Sequence, residues 1–132
     1  MKLTDIISTR VVTIAMDDSL KDIKEIFEQV SFHHLLVVGH EDKLVGVISD
    51  RDLLKSLNPY LGTVAVQKRD LACLKKRAHQ IMNRDLVCAK LDESIDDIVK
   101  KFKEHAISCV PIIDEDDVPV AIVTWHDLLK TL

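Results

Sequence analysis

Several features that mark common protein classes are missing from this sequence. Aromatic residues make up only 4% of the 132 residues, so aliphatic side chains must fill the interior, and a hydrophobic fraction of 47% is enough for a packed core. No apolar run approaches the roughly 20 residues that span a bilayer. The start MKLTDIISTR has neither a long apolar segment nor a cleavage signature. We therefore expect a cytoplasmic protein without a membrane partner.

Disulfide bonds and a strongly basic surface are also not expected. The three cysteines, Cys73, Cys88 and Cys109, are odd in number and do not form a CxxC pair. That pattern argues against a disulfide scaffold and against a cysteine-rich zinc site. The formal net charge of −4 at pH 7 argues against general nucleic-acid binding, which needs a basic face.

Familiar catalytic and metal-binding motifs are absent as well. The sequence contains no GxxxxGK[ST], GxGxxG or GxSxG motif. His33 and His34 are adjacent, so in a strand they would face opposite ways. The acidic stretch 114–117 lacks the Gly and Glu of an EF-hand loop. We expect no metal, no required cofactor and no enzymatic activity, with a small enzyme acting on nucleotides as a third-ranked alternative.

The sequence does contain an internal repeat. VGVISDRDLLK at 45–55 returns as VAIVTWHDLLK at 120–130, and residues 4–57 align with 79–132 without a gap, an offset of 75 positions. Two copies are too few for a solenoid and indicate a pair packed by pseudo-twofold symmetry. The predicted domains are repeat 1 at 1–57, a linker with a helix at 58–78, and repeat 2 at 79–132.

Each repeat is predicted to fold as β-α-β-β-α, which makes the fold class α/β (α+β). Ser19 and Ser94 each precede an aspartate by three residues and open a run of helical periodicity, as helix N-caps do. Short apolar runs around a polar turn indicate a hairpin. The predicted strands are 11–15, 35–38, 44–48, 86–91, 110–113 and 118–123, with final helices beginning near Asp50 and Trp125.

The linker combines a break with a further helix. Pro59 and Gly62 interrupt the chain, and apolar residues at helical spacing predict a helix over 70–82. Lys75, Lys76 and Arg77 form a basic cluster within it. A solvated face is the simpler interpretation of this cluster, and contact with RNA or a membrane is the alternative.

A hydroxyl and an aspartate three positions apart follow the last strand of each repeat. Ser49 with Asp52, and Thr124 with Asp127, have the spacing of a capping box, which alone could explain them. The functional interpretation is that the amides of a strand-to-helix junction attract phosphate. Arg51 would then grip phosphate oxygens, and the aspartates would accept hydrogen bonds from ribose hydroxyls. The spacing leaves both interpretations open.

These features together resemble a tandem pair of CBS domains, named for cystathionine β-synthase. The matching stretches are VVTIAMDDSLKDI, LLVVGHEDKLVGVISDRDLL, LVCAKLDESIDDI and SCVPIIDEDDVPVAIVTWHDLL, which cover most of the chain. The resemblance implies a regulatory module whose clefts bind AMP, ADP, ATP or S-adenosylmethionine. It also implies a homodimer and a separate, unidentified protein whose activity the module regulates.

The resemblance also implies particular binding residues. Ser49 and Asp52, and Thr124 and Asp127, would meet ribose and phosphate, with Arg51 and His126 near the phosphates. The adenine base would lie against the end of each first strand and the start of each second strand. Those positions are Thr13, Ile14, Ala15, His33 and His34 in the first repeat, and Cys88, Ala89, Lys90, Ser108 and Cys109 in the second.

The two sites are not expected to be equivalent. The hydrophobic–proline–hydrophobic step of the family is present around Pro111 but has Leu36 in its place in the first repeat. Ala121 replaces Gly46, and the bulky Trp125 could block or line a cleft. We expect the site of Arg51 and Asp52 to be the better one. The alternative function is a structural or dimerisation module whose clefts are empty.

Overall fold

The described part of the chain, residues 2–57 and 71–131 of a computed structural model, contains two repeats of mixed helix and strand. The strands are β1 (Thr13–Ala15), β2 (His34–Val38), β3 (Leu44–Ser49), β4 (Cys109–Ile113) and β5 (Pro119–Thr124). The helices are α1 (Leu20–Gln29), α2 (Asp50–Ser56), α3 (Ala78–Ile81), α4 (Ile95–Glu104) and α5 (Trp125–Leu129). Short 3-10 segments occur at Leu3–Asp5, His40–Asp42 and Ala72–Lys75. Across these residues, no helix has the length and apolar character needed to cross a bilayer.

The first repeat forms a three-stranded sheet with the order β1-β2-β3. β1 runs parallel to β2, and β2 runs antiparallel to β3. Ser19 begins α1 as predicted, because its hydroxyl accepts a hydrogen bond from the Asp22 amide at 3.2 Å. The predicted β-α-β-β-α order is confirmed in this repeat.

The two hairpin turns share a left-handed residue at equivalent positions. Asp42 has φ 61° and Asp117 has φ 65°, and the two are related by the repeat offset. Aspartate tolerates this conformation better than most non-glycine residues because its short side chain bonds locally. The shared aspartate therefore marks the same turn in both repeats.

The first strand of the second repeat is shorter than predicted. The expected strand at 86–91 is reduced to a single parallel bridge between Ala89 and Ile112. In the first repeat, the Leu36 amide donates to the Val12 carbonyl at 3.0 Å. The position equivalent to Leu36 is Pro111, which has no N–H to donate, so this rung of the ladder cannot form. Pro111 thus explains why the first strand of the second repeat is shorter than predicted.

The two repeats exchange the segments that precede their first strands. Ser8 forms an antiparallel bridge with Ile122 of the second repeat, and Asn83 forms the equivalent bridge with Val47 of the first. The side chains follow the same exchange. Leu3 and Ile6 are buried in the core of the second repeat, and Ala78 and Met82 are buried in the core of the first. The predicted domain limits describe the repeat in the sequence, and they remain a prediction. In the structure, the core of each repeat also contains residues from the segment before the first strand of the other repeat.

Gly46 allows one of these exchanged segments to approach closely. A Cβ atom at position 46 would lie 2.7 Å from Cγ of Met82 and 3.0 Å from its Cβ. Contacts that short require the neighbour to move, so a side chain on β3 at this point would push Met82 out of the core. The equivalent position in the second repeat is Ala121.

The single helix predicted over 70–82 is wrong for the described residues 71–82. The chain instead forms the 3-10 segment Ala72–Lys75 and the helix α3, with extended backbone at Lys76 and Arg77 between them. The carbonyl of Lys76 accepts from the Leu20 amide at 2.8 Å, and Ala78 donates to the Asp18 carbonyl at 2.8 Å. Because these backbone groups bond to the chain at the start of α1, they do not form the hydrogen bonds of a continuous helix. The predicted break at 58–62 and the first residue of that helix lie outside the described residues.

The exchange generates a prediction about where a mutation is felt. Ile6→Ala should lower the free energy of unfolding by about 2–4 kcal/mol, the usual cost of emptying a core site. Because Ile6 packs in the second repeat's core, its loss should raise amide hydrogen exchange in β4 and β5. Ile14→Ala is the matched control, since both isoleucines are 5% exposed but Ile14 packs in the first repeat's core. Hydrogen-exchange mass spectrometry that shows Ile6→Ala loosening β2 and β3 instead would contradict the exchange.

Candidate functional site

A cavity of about 690 Å³ lies at the seam between the repeats, and it is called the larger cavity to distinguish it from a second one of about 190 Å³. The first repeat contributes His34, Val47, Ser49, Asp50, Arg51 and Asp52 to its lining. The second repeat and the segment before it contribute Asn83, Asp85, Leu86, Val87, Phe102, His105, Ala106, Ile107, Ser108, Cys109, Pro111 and Trp125. The cavity therefore combines a polar wall from one repeat with a largely apolar wall from the other.

The Ser49–Asp52 pair is a complete capping box at the start of α2. The Ser49 amide donates to Asp52 Oδ2 at 2.8 Å, and the Asp52 amide donates to Ser49 Oγ at 3.1 Å. Both side chains are partly buried, and both line the larger cavity. The cap uses Oδ2, and Oδ1 of Asp52 retains its own capacity to accept hydrogen bonds.

The junction amides differ from the sequence-based expectation. We expected backbone N–H groups to face outward at this strand-to-helix junction, ready for a phosphate. The amides of Ser49 and Asp52 are used by the capping box, and the Asp50 amide donates to the His33 carbonyl at 2.9 Å. Three of the four amides at this turn are thus already satisfied, which leaves that of Arg51. Since α2 is only seven residues long, the polarity of its N-terminus adds little.

The cations predicted beside the two motifs have different surroundings. Arg51 is exposed and lines the larger cavity. His126, its equivalent in the second repeat, is exposed and lines neither of the two cavities. The two motifs are therefore not alike beyond their hydroxyl and aspartate.

The second motif borders a smaller cavity of about 190 Å³. The Thr124 amide donates to Asp127 Oδ2 at 2.9 Å, and the Asp127 amide donates to Thr124 Oγ1 at 3.3 Å, which completes an equivalent capping box. Arg10 also lines this cavity. Sequence reasoning missed both Arg10 and its repeat equivalent Asp85, which lines the larger cavity, because no motif in the sequence marks either position.

Six of the residues predicted to meet the base do not line either cavity: Thr13, Ile14, Ala15, Cys88, Ala89 and Lys90. Val11 and Val12 line the smaller cavity, and Leu86 and Val87 line the larger one. The sheet topology explains this shift toward the N-terminus. Parallel strands begin at the same edge of a sheet, and the motif follows a strand that runs antiparallel to them. The motif therefore lies at the edge where the first strand begins, and the exchanged segments bring the residues before the first strand of the opposite repeat to that edge.

The residues predicted at the starts of the second strands do line the cavities. His34, Ser108 and Cys109 line the larger cavity, and His33 and His34 line the smaller one. His34 Nε2 lies 2.8 Å from Ser108 Oγ, which joins the two repeats. Burial lowers the pKa of His34, although Asp50 and Asp52 act in the opposite direction. The neutral form of the imidazole is therefore favoured at this shared wall.

Aromatic rings form one end of the larger cavity. Trp125 and Phe102 have ring centroids 4.8 Å apart with an angle of 51° between the planes. Trp125 is 46% exposed and lines the cavity. Trp125 therefore lines the cavity of the first motif, although in the sequence it lies within the second motif.

Comparisons with known proteins agree with this arrangement. The family model for the CBS domain matches residues 3–59 and 78–132. The chain is 28% identical over 129 residues to the inosine-5′-monophosphate dehydrogenase of Methanocaldococcus jannaschii, covering 98% of this chain and 23% of that protein. It is 31% identical over 126 residues to L-aspartate semialdehyde sulfurtransferase of the same organism, covering 96% and 22%. The chain thus spans less than a quarter of these curated relatives.

Among solved structures, the chain resembles the CBS domain pair of protein MJ0100. The TM-score is 0.79 with 29% sequence identity, and the match covers 99% of this chain and 98% of that one. The MJ0100 pair was crystallised in complex with 5′-methylthioadenosine and S-adenosyl-L-methionine.

The cysteine at the larger cavity should be chemically inert. Burial raises the pKa of Cys109 to about 12, with Cys88 and Asp52 adding to the effect. At pH 8 we expect iodoacetamide to modify Cys109 at least a hundredfold more slowly, as an order of magnitude, than an unperturbed thiol. Peptide mass spectrometry of the folded protein measures this rate, and the same protein in urea is the control. Equal rates in both states would contradict the assigned burial.

Proposed function

Because the chain belongs to the CBS domain family, we propose that it is a regulatory module that binds an adenosine-containing ligand between its repeats and signals the occupancy to a partner protein. One observation carries the proposal. The larger cavity brings the hydroxyl and carboxylate of one repeat opposite the apolar residues before the first strand of the other. Its volume of about 690 Å³ falls within the range typical of small-molecule sites.

The residues of the larger cavity suit the parts of a nucleoside. Asp52 Oδ1 would accept hydrogen bonds from the ribose hydroxyls, while Oδ2 continues to cap α2. The Ser49 hydroxyl accepts a bond from the Asp52 amide and retains its own proton to donate to the ligand. Leu86, Val87 and Ile107 supply an apolar surface for the adenine base.

The ligands of the structural neighbour support the same class. The MJ0100 pair holds 5′-methylthioadenosine and S-adenosyl-L-methionine, which share an adenosine unit. AMP, ADP and ATP also contain that unit, and they remain the ligands expected from the family resemblance. The smaller cavity, about 190 Å³, falls below the usual size of a ligand site, so we propose the larger one as the main site.

The regulated protein is proposed by class only. The chain matches small parts of larger enzymes, so a module of this kind can act beside a catalytic partner. We propose that this chain is not itself an enzyme and that its output reaches a separate protein. Nucleic acid is not proposed as a partner, and Arg77 of the basic cluster is engaged locally, since its Nη1 donates to the Asp17 carbonyl at 3.0 Å.

A structural module with empty clefts is the second candidate. The observation that favours it is the complete capping box, which accounts for the spacing of Ser49 and Asp52 without any ligand. The two candidates differ in what the loss of Asp52 should do.

Asp52→Ala tests the proposed function. We expect the variant to bind adenosine roughly ten- to a hundredfold more weakly in isothermal titration, because hydrogen bonds to a charged group are lost. Asp97→Ala is the matched control. Asp97 makes the same capping box with Ser94 but lines neither cavity. Both variants lose a cap, so both should melt at a lower temperature, and only Asp52→Ala should lose affinity.

Absence of binding would favour the structural module. If neither adenosine, its 5′-nucleotides nor S-adenosylmethionine binds the native protein at millimolar concentration, the cleft is empty and the second candidate stands. Mass spectrometry of small molecules released by denaturing freshly purified protein provides an independent check.

We also propose that the protein forms a homodimer. Leu54 on α2 and Leu129 on α5 occupy equivalent positions and are 69% and 57% exposed. A pair related by pseudo-twofold symmetry can meet the same pair on a second copy. Light scattering should give a dimer for the native chain and a monomer for the Leu54→Glu/Leu129→Glu variant. Leu91→Glu, at another exposed leucine, is the control and should remain dimeric; a monomeric native chain would refute the proposal.

A further inference from the structure

The larger cavity carries an excess of negative charge. Asp50, Asp52 and Asp85 line it, and Arg51 is the one arginine or lysine among its lining residues. His34 and His105 also line the cavity, and burial lowers the pKa of His34, which favours its neutral form. Asp50 is paired with His33, whose Nδ1 lies 3.0 Å from its Oδ2, but that histidine is largely exposed to water. A phosphate chain placed here would face more carboxylates than cations.

Backbone donors do not compensate for these carboxylates. Phosphate sites at helix starts depend on free amides that point at the anion. Here the capping box and the His33 carbonyl occupy the amides of Ser49, Asp50 and Asp52. The Arg51 side chain, its amide and the Ser49 hydroxyl are the donors that remain to meet an anion at this turn.

The repeat symmetry identifies one position where the charge is reversed. Asp85 lines the larger cavity, and its equivalent, Arg10, lines the smaller one. The Asp85 amide donates to Asn83 Oδ1 at 2.9 Å, a local bond that uses the main chain of residue 85 and not its carboxylate. The chain itself therefore contains both an acidic and a basic version of this wall.

We propose that the larger cavity selects adenosyl ligands whose 5′ substituent carries no net negative charge, and that it rejects 5′-phosphate chains. The inference rests on the proposed function and narrows its ligand class. A neutral or cationic 5′ group is compatible with three carboxylates, whereas each added phosphate charge is repelled. We expect affinity to fall severalfold, as an order of magnitude, with each added negative charge.

Titration calorimetry with adenosine, AMP, ATP and S-adenosylmethionine in magnesium-free buffer at pH 7.5 tests the selection. Affinity should fall in the order S-adenosylmethionine or adenosine, then AMP, then ATP. The sign of the salt dependence is the sharper readout, compared at about 10 mM and about 150 mM ionic strength, where the screening length falls from about 30 Å to about 8 Å. Added salt should strengthen ATP binding and weaken S-adenosylmethionine binding. The affinity of uncharged adenosine should stay constant.

The Asp85→Arg variant tests whether the selection against phosphate arises from the charge of the larger cavity. This variant copies the side chain of the smaller cavity and should raise ATP affinity at least tenfold, as an order of magnitude, at low ionic strength. Adenosine affinity should be unchanged. Asp96→Arg makes the same change of charge on the exposed first turn of α4, away from both cavities, and should leave every affinity unchanged. Asp85→Asn should give an intermediate gain and covers the case in which the arginine variant does not fold.

The two levels of the proposal fail in different ways. If ATP binds the native protein more tightly than adenosine at low ionic strength, the charge selection is overturned while the adenosine site stands. An ATP affinity that does not respond to Asp85→Arg or Asp85→Asn also overturns it. Absence of binding by all four compounds overturns the proposed function and this inference together.

Discussion

The exchange of segments between the repeats is the constraint on which the rest of the structure depends. Each repeat has about half the residues of a small domain, too few to bury a stable core alone. Leu3 and Ile6 fill the second core, and Ala78 and Met82 fill the first. The backbone bridges Ser8–Ile122 and Val47–Asn83 fix the register of both crossings. Neither core is complete without the other repeat, so the seam between them is held by both.

That constraint also determines where the cavities lie. The exchanged segment of one repeat forms an antiparallel bridge with the third strand of the other and then continues to the first strand position of its own repeat. The residues between these two points, Leu86 and Val87 in one case and Val11 and Val12 in the other, are therefore held beside the opposite repeat's motif. The third strand of each repeat runs antiparallel to the second, so it ends at the edge of the sheet where the second strand begins. The motif that follows the third strand lies at that edge. The cleft is thus a product of strand direction and of the exchange together.

Sequence reasoning succeeded where the signal is local. The repeat, the N-caps at Ser19 and Ser94 and the hairpins follow from spacing and periodicity, and the family follows from the resemblance of four stretches to CBS domains. The structure and the comparisons confirm them.

Sequence reasoning failed where a distant contact decides the outcome. Periodicity predicts one helix across residues 71–82, but the carbonyls and amides near Lys76 bond to the start of α1 instead. The strand at 86–91 was expected from its apolar residues. Pro111, in another part of the chain, lacks the N–H that would donate to this segment, so only the bridge between Ala89 and Ile112 forms. The residues predicted to meet the base at the end of the first strand remain a prediction, and the cavity linings instead contain the residues just before that strand.

The capping boxes explain how a duplicated module can change its ligand without losing its fold. In each motif one carboxylate oxygen holds the helix start, so the aspartate is required for stability whatever the cavity binds. Apart from Asp52 and Asp127, the charged residues that line the two cavities take no part in the capping boxes. Arg10 and Asp85 differ in sign at equivalent positions, and Arg51 corresponds to His126. These exposed side chains can change at little cost to stability, which separates the part of the site that maintains the fold from the part that determines the ligand.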